Sequence, residues 1–241
     1  MTSYGQFCPV AKAMEIVGEK WTMLILRELL LGTTRFADFQ RAISRISPTI
    51  LSRRLKSLEE KGLVMRKRES GRENYEYRLT PCGKELHEIL VPMAIWGMRW
   101  ARSQLSDEEL DVGFLMWDIR RNIKTEYLPS GQTVLCFSFR DVPDQASVKK
   151  TSSWWYVIDE DDVDLCDEDH FKDVDLYVTC DLRTMVEIWE GDRELRKAIA
   201  DESVTVVGDQ GLIRTMHEWF GLSPRAYVRP ATQDLETGMV T

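Results

Sequence analysis

Through the first hundred residues, apolar side chains recur every three or four positions, the spacing of helices with one buried face. Pro9 is suited to a first helical turn, and Val10, Ala13, Met14 and Val17 then share one face until Gly18 stops the helix. Trp21, Leu24, Ile25, Leu29 and Leu30 make a second stripe, ended by Gly32, and Phe36, Phe39 and Ile43 predict a short third helix. Ser47 is placed as an N-cap with Pro48 at the first helical position, and Leu51, Leu55 and Leu58 follow at i, i+4 and i+7 until Gly62. The period then changes. "LVMRKRES" and "NYEYRLT" alternate on either side of Ser70-Gly71-Arg72, which predicts a β-hairpin with an exposed tip. After Thr80-Pro81 a long helix is predicted to about Gln104, carrying Leu86, Ile89, Leu90, Met93, Trp96 and Trp100; Pro92 within it predicts a kink or break.

Beyond the polar stretch "SQLSDEEL" the pattern differs. "GFLMWDIRRNI" predicts one helix, and "TVLCFSF", "SWWYVI", "VDLC" and "DLYVTC" then predict strands separated by short polar turns, as in an antiparallel meander. Asp181 is placed to cap a helix with Leu182, Met185, Val186 and Trp189 on one stripe, and Leu195 and Ile199 mark a second, short helix. "VTVVGD" predicts a last strand and "QGLIRTMHEWFGL" a last amphipathic helix. A polar tail is expected from about residue 224. The fold class is therefore α+β: an N-terminal winged helix-turn-helix of helices and a β-hairpin wing, over 1–105, followed by a domain over 106–241 with a mostly antiparallel sheet covered by helices.

Charge changes this picture more than composition does. The 241-residue chain has a net charge of -8. Residues 1–105, however, hold 18 Lys+Arg against 11 Asp+Glu, a balance of +7, which leaves the remainder at −15. The basic half suits a polyanion and the acidic half would repel one. With the leucine stripe of the fourth helix buried, Thr49, Ser52, Arg53 and Lys56 fall on its opposite face. They join Ser47 and Arg54 as candidates for base edges and phosphates in the major groove. Arg66, Lys67, Arg68 and Arg72 of the predicted wing are candidates for the flanking backbone or minor groove. The partner predicted is double-stranded DNA.

Residues 8–102 closely resemble the HxlR-type winged-helix transcriptional regulators, relatives of the MarR group. The residues that carry the likeness are "CPVAKAMEIVGEKWTMLILRELLLGTTRF", "ISPTILSRRLKSLEEKGLV" and "YEYRLTPCGKEL". The resemblance implies a homodimeric DNA-binding regulator, often a repressor, acting on a palindromic operator. It assigns dimer contacts to the N-terminal segment and to the apolar side of the last helix, including Met93, Trp96 and Trp100; in the alternative, these tryptophans are core residues. Some members use a cysteine at the place of Cys8 to sense oxidants or electrophiles. That chemistry needs an accessible thiolate of depressed pKa, for which Lys12 is the nearby charge; the other reading of Cys8 is a small buried hydrophobe.

The order of strands and helices over about 110–222, centred on "DVDLYVTCDLRTMVEIWEGDRELRKAIADESVTVVGD", resembles the sterol-carrier-protein type of lipid-binding domain. That likeness implies an apolar cavity for a small apolar effector, with Trp117, Trp154, Trp155, Met185, Trp189, Met216, Trp219 and Phe220 as lining; the alternative is that each is packed core. A lipid carrier with a basic accessory domain is a further reading of the whole chain.

Enzyme chemistry finds little support. His87, His170 and His217 lie far apart with no metal-ligand spacing, and no nucleophile elbow or phosphate loop occurs. The acidic run "DEDDVDLCDEDH" lacks a calcium-loop pattern and reads as a solvated turn. Cys8, Cys82, Cys136, Cys166 and Cys180 form no C-x-x-C pair, so no zinc site or disulfide framework is expected. No cofactor, metal or membrane partner is expected, no signal peptide is recognised at the N-terminus, and the expected location is cytoplasmic.

Overall fold

The computed structural model describes residues 3–68, 75–102, 105–142, 152–169 and 173–231. The chain divides into two compact units, residues 1–96 and 97–241. The fold is α+β.

In the first unit the helices are α1 (Pro9–Val17), α2 (Thr22–Leu30), α3 (Phe36–Ala42) and α4 (Pro48–Glu60). They are followed by an antiparallel hairpin of β1 (Val64–Arg68) and β2 (Tyr75–Leu79), then by α5 (Pro81–Glu85) and α6 (His87–Trp100), the last four residues of which fall in the second unit. Ser47 caps α4 as its sequence requires: its Oγ accepts from the Ile50 amide at 3.3 Å, one of the donors a helix start leaves without a partner. Thr80 does the same for α5, accepting from the Gly83 amide at 3.1 Å. The core gathers Ile25, Leu26, Phe39, Leu51, Leu55, Leu58, Leu63 and Val64, so α4 is held from behind by its leucine stripe. A buried acid organises the turn after α2. Glu28, 0% exposed, accepts from Arg27 Nε at 3.0 Å and from Thr33 Oγ1 at 3.0 Å. The next residue, Thr34, gives its carbonyl to the Tyr77 amide at 2.9 Å, which ties that turn to the wing.

Two expectations fail here. Pro92 does not break its helix, since α6 runs through it; the interruption falls at Leu86, between α5 and α6. The apolar face assigned to α1 is not buried, and Val10 is 70% exposed, because Ala11 is the position of α1 that faces the core. The expected hairpin tip, Ser70-Gly71-Arg72, lies outside the described residues.

The second unit is built on a five-stranded sheet in the order β5-β4-β3-β6-β7. Its strands are β3 (Gln132–Phe139), β4 (Ser153–Asp159), β5 (Asp162–Cys166), β6 (Leu176–Cys180) and β7 (Val204–Gly208). The meander expected from the sequence holds for β3, β4 and β5. It then gives way: β6 crosses to the other side of β3 and pairs with it in parallel. The sheet remains mostly antiparallel because β7 returns against β6. Alternation sends Leu135, Phe137, Tyr156, Leu165, Leu176 and Val178 to one face, all buried. The helices are α7 (Val112–Arg120), α8 (Leu182–Trp189), α9 (Leu195–Ala200) and α10 (Gln210–Trp219). The Tyr156 hydroxyl donates to the Met116 carbonyl of α7 at 2.7 Å, and Phe137 stacks on Phe220 at 6.3 Å. Asp181 stands at the N-cap of α8, but its carboxylate accepts from Arg140; the Leu182 amide is served by Asp141 Oδ1 at 2.8 Å instead. Beyond residue 224, where a polar tail was expected, Val228 and Ala231 are buried. Among the described residues no helix is long and apolar enough to cross a membrane.

Candidate nucleic-acid interface

Helix α4 presents three arcs. Leu51, Leu55 and Leu58 form the buried one, and Thr49, Ser52, Arg53 and Lys56 lie exposed on the opposite one, with Ser47 at its start. Lys56 stands 3.9 Å from Glu60, an exposed pair of little energetic weight. The helix N-terminus adds partial positive charge at the end where Thr49 sits. Arg54 departs from the sequence assignment. Its Nε donates to the Lys20 carbonyl at 3.1 Å, its guanidinium pairs with Glu19, and its side chain is 14% exposed. It belongs to a third arc that turns toward α1, because 100° per residue carries it well away from Arg53 despite adjacency in sequence.

The wing supplies the second basic surface. Arg66, Lys67 and Arg68 are exposed, and Arg66 packs over the Tyr75 ring at 3.5 Å, which shields an aromatic face and fixes the guanidinium. Glu76 opposes Lys67 in the ladder, but its carboxylate accepts from Arg78 at 2.7 Å and 3.1 Å. The Arg78 guanidinium holds that carboxyl below its usual range. Arg35 forms a bridge with Glu76, so a cation just before α3, not singled out in the sequence, is drawn beside the wing. Arg72 lies outside the described residues.

The other assigned residues are placed as follows. Met93, Trp96 and Trp100 are exposed, Trp96 by 62%, and α6 has no buried residue along its length. Cys8 occupies the N-cap of α1 and is half-buried. Lys12, the charge expected to serve its thiol, donates instead to both oxygens of Glu15, at 3.2 Å and 3.0 Å. Of the residues assigned to an apolar cavity, Trp117, Trp154, Met185, Trp189, Met216, Trp219 and Phe220 are buried among core neighbours. Trp155 follows Trp154 on β4 and therefore points to the opposite face of the sheet, where it is half-exposed, so the two cannot line one cavity. The Trp219 indole donates to the Leu212 carbonyl at 3.0 Å, whereas Trp117 Nε1 is buried with no hydrogen-bond partner among the described residues. Among the described residues no group of three or more His, Cys, Asp or Glu is placed to hold a metal ion.

Residues 16–105 match the family of HxlR-like helix-turn-helix proteins. Over 89 residues the chain is 45% identical to the HTH-type transcriptional regulator Rv3095 of Mycobacterium tuberculosis, a stretch that is 36% of this chain and 56% of that protein. The chain thus spans about half the length of this relative. It is 38% identical over 99 residues to the HTH-type transcriptional regulator YvaP of Bacillus subtilis, covering 39% of this chain and 90% of YvaP. Among solved structures it is similar to the reduced form of the transcriptional regulator YodB from B. subtilis, with 31% identity, a TM-score of 0.35, and 38% of this chain against 92% of that one. With nearly the whole of YvaP matched at that identity, by a segment that folds as helices followed by a two-stranded wing, the chain belongs to the HxlR-like helix-turn-helix family.

Proposed function

We propose that this protein is a sequence-specific DNA-binding transcriptional regulator, acting as a homodimer and in the main as a repressor. The observation that carries the reading is the exposed arc of α4: Thr49, Ser52, Arg53 and Lys56 face solvent while Leu51, Leu55 and Leu58 fix the helix from behind. An α-helix of this kind fits the major groove, where arginine reads guanine bidentately and threonine, serine and lysine add base or phosphate contacts. Arg66, Lys67 and Arg68 of the wing track the flanking backbone. The acidic second half would be repelled by the same polyanion and supplies no part of the DNA-binding surface.

Pairing is supported by α6. A helix with Ile89, Met93, Trp96 and Trp100 all exposed presents an apolar surface that a second copy would cover. Exposed Phe7, just before α1, and exposed Val10 on α1 add to it. A two-fold dimer places its recognition helices about one turn of DNA apart, roughly 34 Å, and prefers a palindromic operator. Covering a promoter with such a dimer is the simplest route to repression. The second domain serves as the sensing or assembly unit. Among the described residues, its buried Trp117 Nε1 has no acceptor, which supports an effector bearing a hydrogen-bond acceptor.

The test is binding to a palindromic duplex from the protein's own promoter region. Arg53→Ala should weaken binding by about 1–3 kcal/mol and relax specificity at one position. Arg66→Ala should weaken binding to all sequences alike and lower the salt slope by about one. Salt-independent binding, or unchanged affinity in both variants, would remove the reading.

A further inference from the structure

On a 100° wheel, Arg54 and Lys61 lie roughly 120–140° from Thr49, on an arc between the leucines and the exposed face. Their partners all come from one place. Arg54 Nε donates to the Lys20 carbonyl at 3.1 Å and its guanidinium pairs with Glu19. Lys61 Nζ donates to the Ile16 carbonyl at 2.9 Å and to the Glu15 carbonyl at 3.2 Å. Those carbonyls belong to the last turn of α1 and to the turn that follows it. A helix leaves its final carbonyls without intrahelical partners, and its C-terminus carries partial negative charge. Two cations seven residues apart, one on α4 and one at its C-cap, therefore meet a set of acceptors that needs them. Burial, and next the nearby charge of Arg54, hold the Lys61 ammonium below its usual pKa; the carbonyl bonds are what replace its lost hydration.

We propose that Arg54 and Lys61 are positioning residues: they clasp the recognition helix to the C-terminal end of α1, and Arg54, although it adjoins Arg53 in a basic run, contacts no phosphate. The inference rests on the DNA-binding reading of α4. With Nε on a carbonyl, a terminal nitrogen on Glu19 and only 14% of its side chain exposed, Arg54 is turned away from the arc that would meet DNA. The clasp instead makes α4 follow α1, the helix whose Val10 and Met14 lie exposed on its free side.

The decisive variant is Glu19→Ala. Removing an acid from a DNA-binding domain ordinarily tightens binding, and it would free Arg54 for a phosphate if that were its role. The clasp predicts the opposite: affinity for the palindromic promoter duplex falls by roughly 2- to 30-fold, the range seen when a coupling residue outside the binding surface is lost. Arg54→Ala and Lys61→Met should each weaken binding comparably while leaving the slope of log affinity against log salt unchanged. Glu19→Ala at equal or higher affinity, or an Arg54→Ala slope reduced by about one, would overturn the proposal. Should Arg54→Ala fail to fold, Glu19→Ala decides alone, since it keeps every cation. Amide exchange separates this inference from its parent reading: with or without DNA binding, Lys61→Met should speed exchange at Val17 and Gly18, and unaltered exchange there would refute the clasp.

Discussion

Glu28 is a fully buried acid at the turn of the helix-turn-helix scaffold, and its removal can be followed quantitatively. The carboxylate is fully buried; Oε1 accepts from Arg27 Nε at 3.0 Å and from a terminal nitrogen at 2.8 Å, and Oε2 accepts from Thr33 Oγ1 at 3.0 Å. Glu28→Ala removes these three hydrogen bonds and leaves Thr33, 6% exposed, without the carboxylate that its hydroxyl donates to. Loss of one member of a buried ion pair costs about 3–5 kcal/mol. The Arg27 side chain is 28% exposed and regains some water, which places the expected cost near the lower end, at about 3 kcal/mol. For a unit of this size that lowers Tm by on the order of 10–20 °C. Glu28→Gln keeps the shape; its oxygen faces Arg27 and its amide donates to Thr33 Oγ1, which reverses that bond, so the charge and this acceptor of the Thr33 hydroxyl are lost and about 1 kcal/mol is expected. Calorimetry on the full chain, read at the transition of the first unit, measures both. Amide exchange at Tyr77, whose partner is the Thr34 carbonyl, reports whether the damage reaches the wing. A Glu28→Ala cost below about 1 kcal/mol, or a Gln variant as damaged as the Ala one, would refute the account of this network.

Three further outcomes are expected. Trp96→Glu should shift the sedimentation equilibrium toward monomer without lowering Tm by more than a degree or two, since this indole is mostly exposed in the single chain; an unchanged oligomer would end the role given to α6. Alkylation by iodoacetamide at neutral pH should label exposed Cys82 first and Cys180 last, because burial pushes the Cys180 thiol up to about 12 and also raises Cys136; early labelling of Cys180 would contradict its packing. Glu190 has its carboxyl raised above the ordinary 4.5, by burial first, although Arg102 Nε lies 2.7 Å away and opposes the shift. A raised folded pKa means that the native state binds the proton more tightly than the unfolded one. The contribution is fully present below the unfolded value and lost as pH rises through the raised one. Wild type should therefore gain stability relative to Glu190→Gln as pH falls from 7 toward 4, and a flat or inverted difference in urea unfolding would show the sign to be wrong.

Much of the first unit was legible in the sequence because its signals are local. Ser47-Pro48 starts α4, a leucine stripe sets which side is buried, and the change to period two marks the wing; each rests on side-chain geometry within a few residues. The same geometry placed Thr49, Ser52, Arg53 and Lys56 on one exposed arc without reference to any other element. What depended on distant partners was not legible. Arg53 and Arg54 are alike in sequence, yet one is exposed and the other turns to Glu19 and Lys20, because only the packing of α1 against α4 brings those acceptors near. β6 pairs with β3 in parallel rather than continuing the meander, since alternation fixes the faces of a strand but not its neighbours. Trp154 and Trp155 look equivalent as bulky lining until the sheet sends them to opposite sides. The sequence alone thus determined which segments are helix or strand and which face of each is apolar. Tertiary structure decided which polar side chains are consumed in holding the fold and which are left to meet a partner, because a hydrogen bond or ion pair is made only where folding brings its two halves within reach.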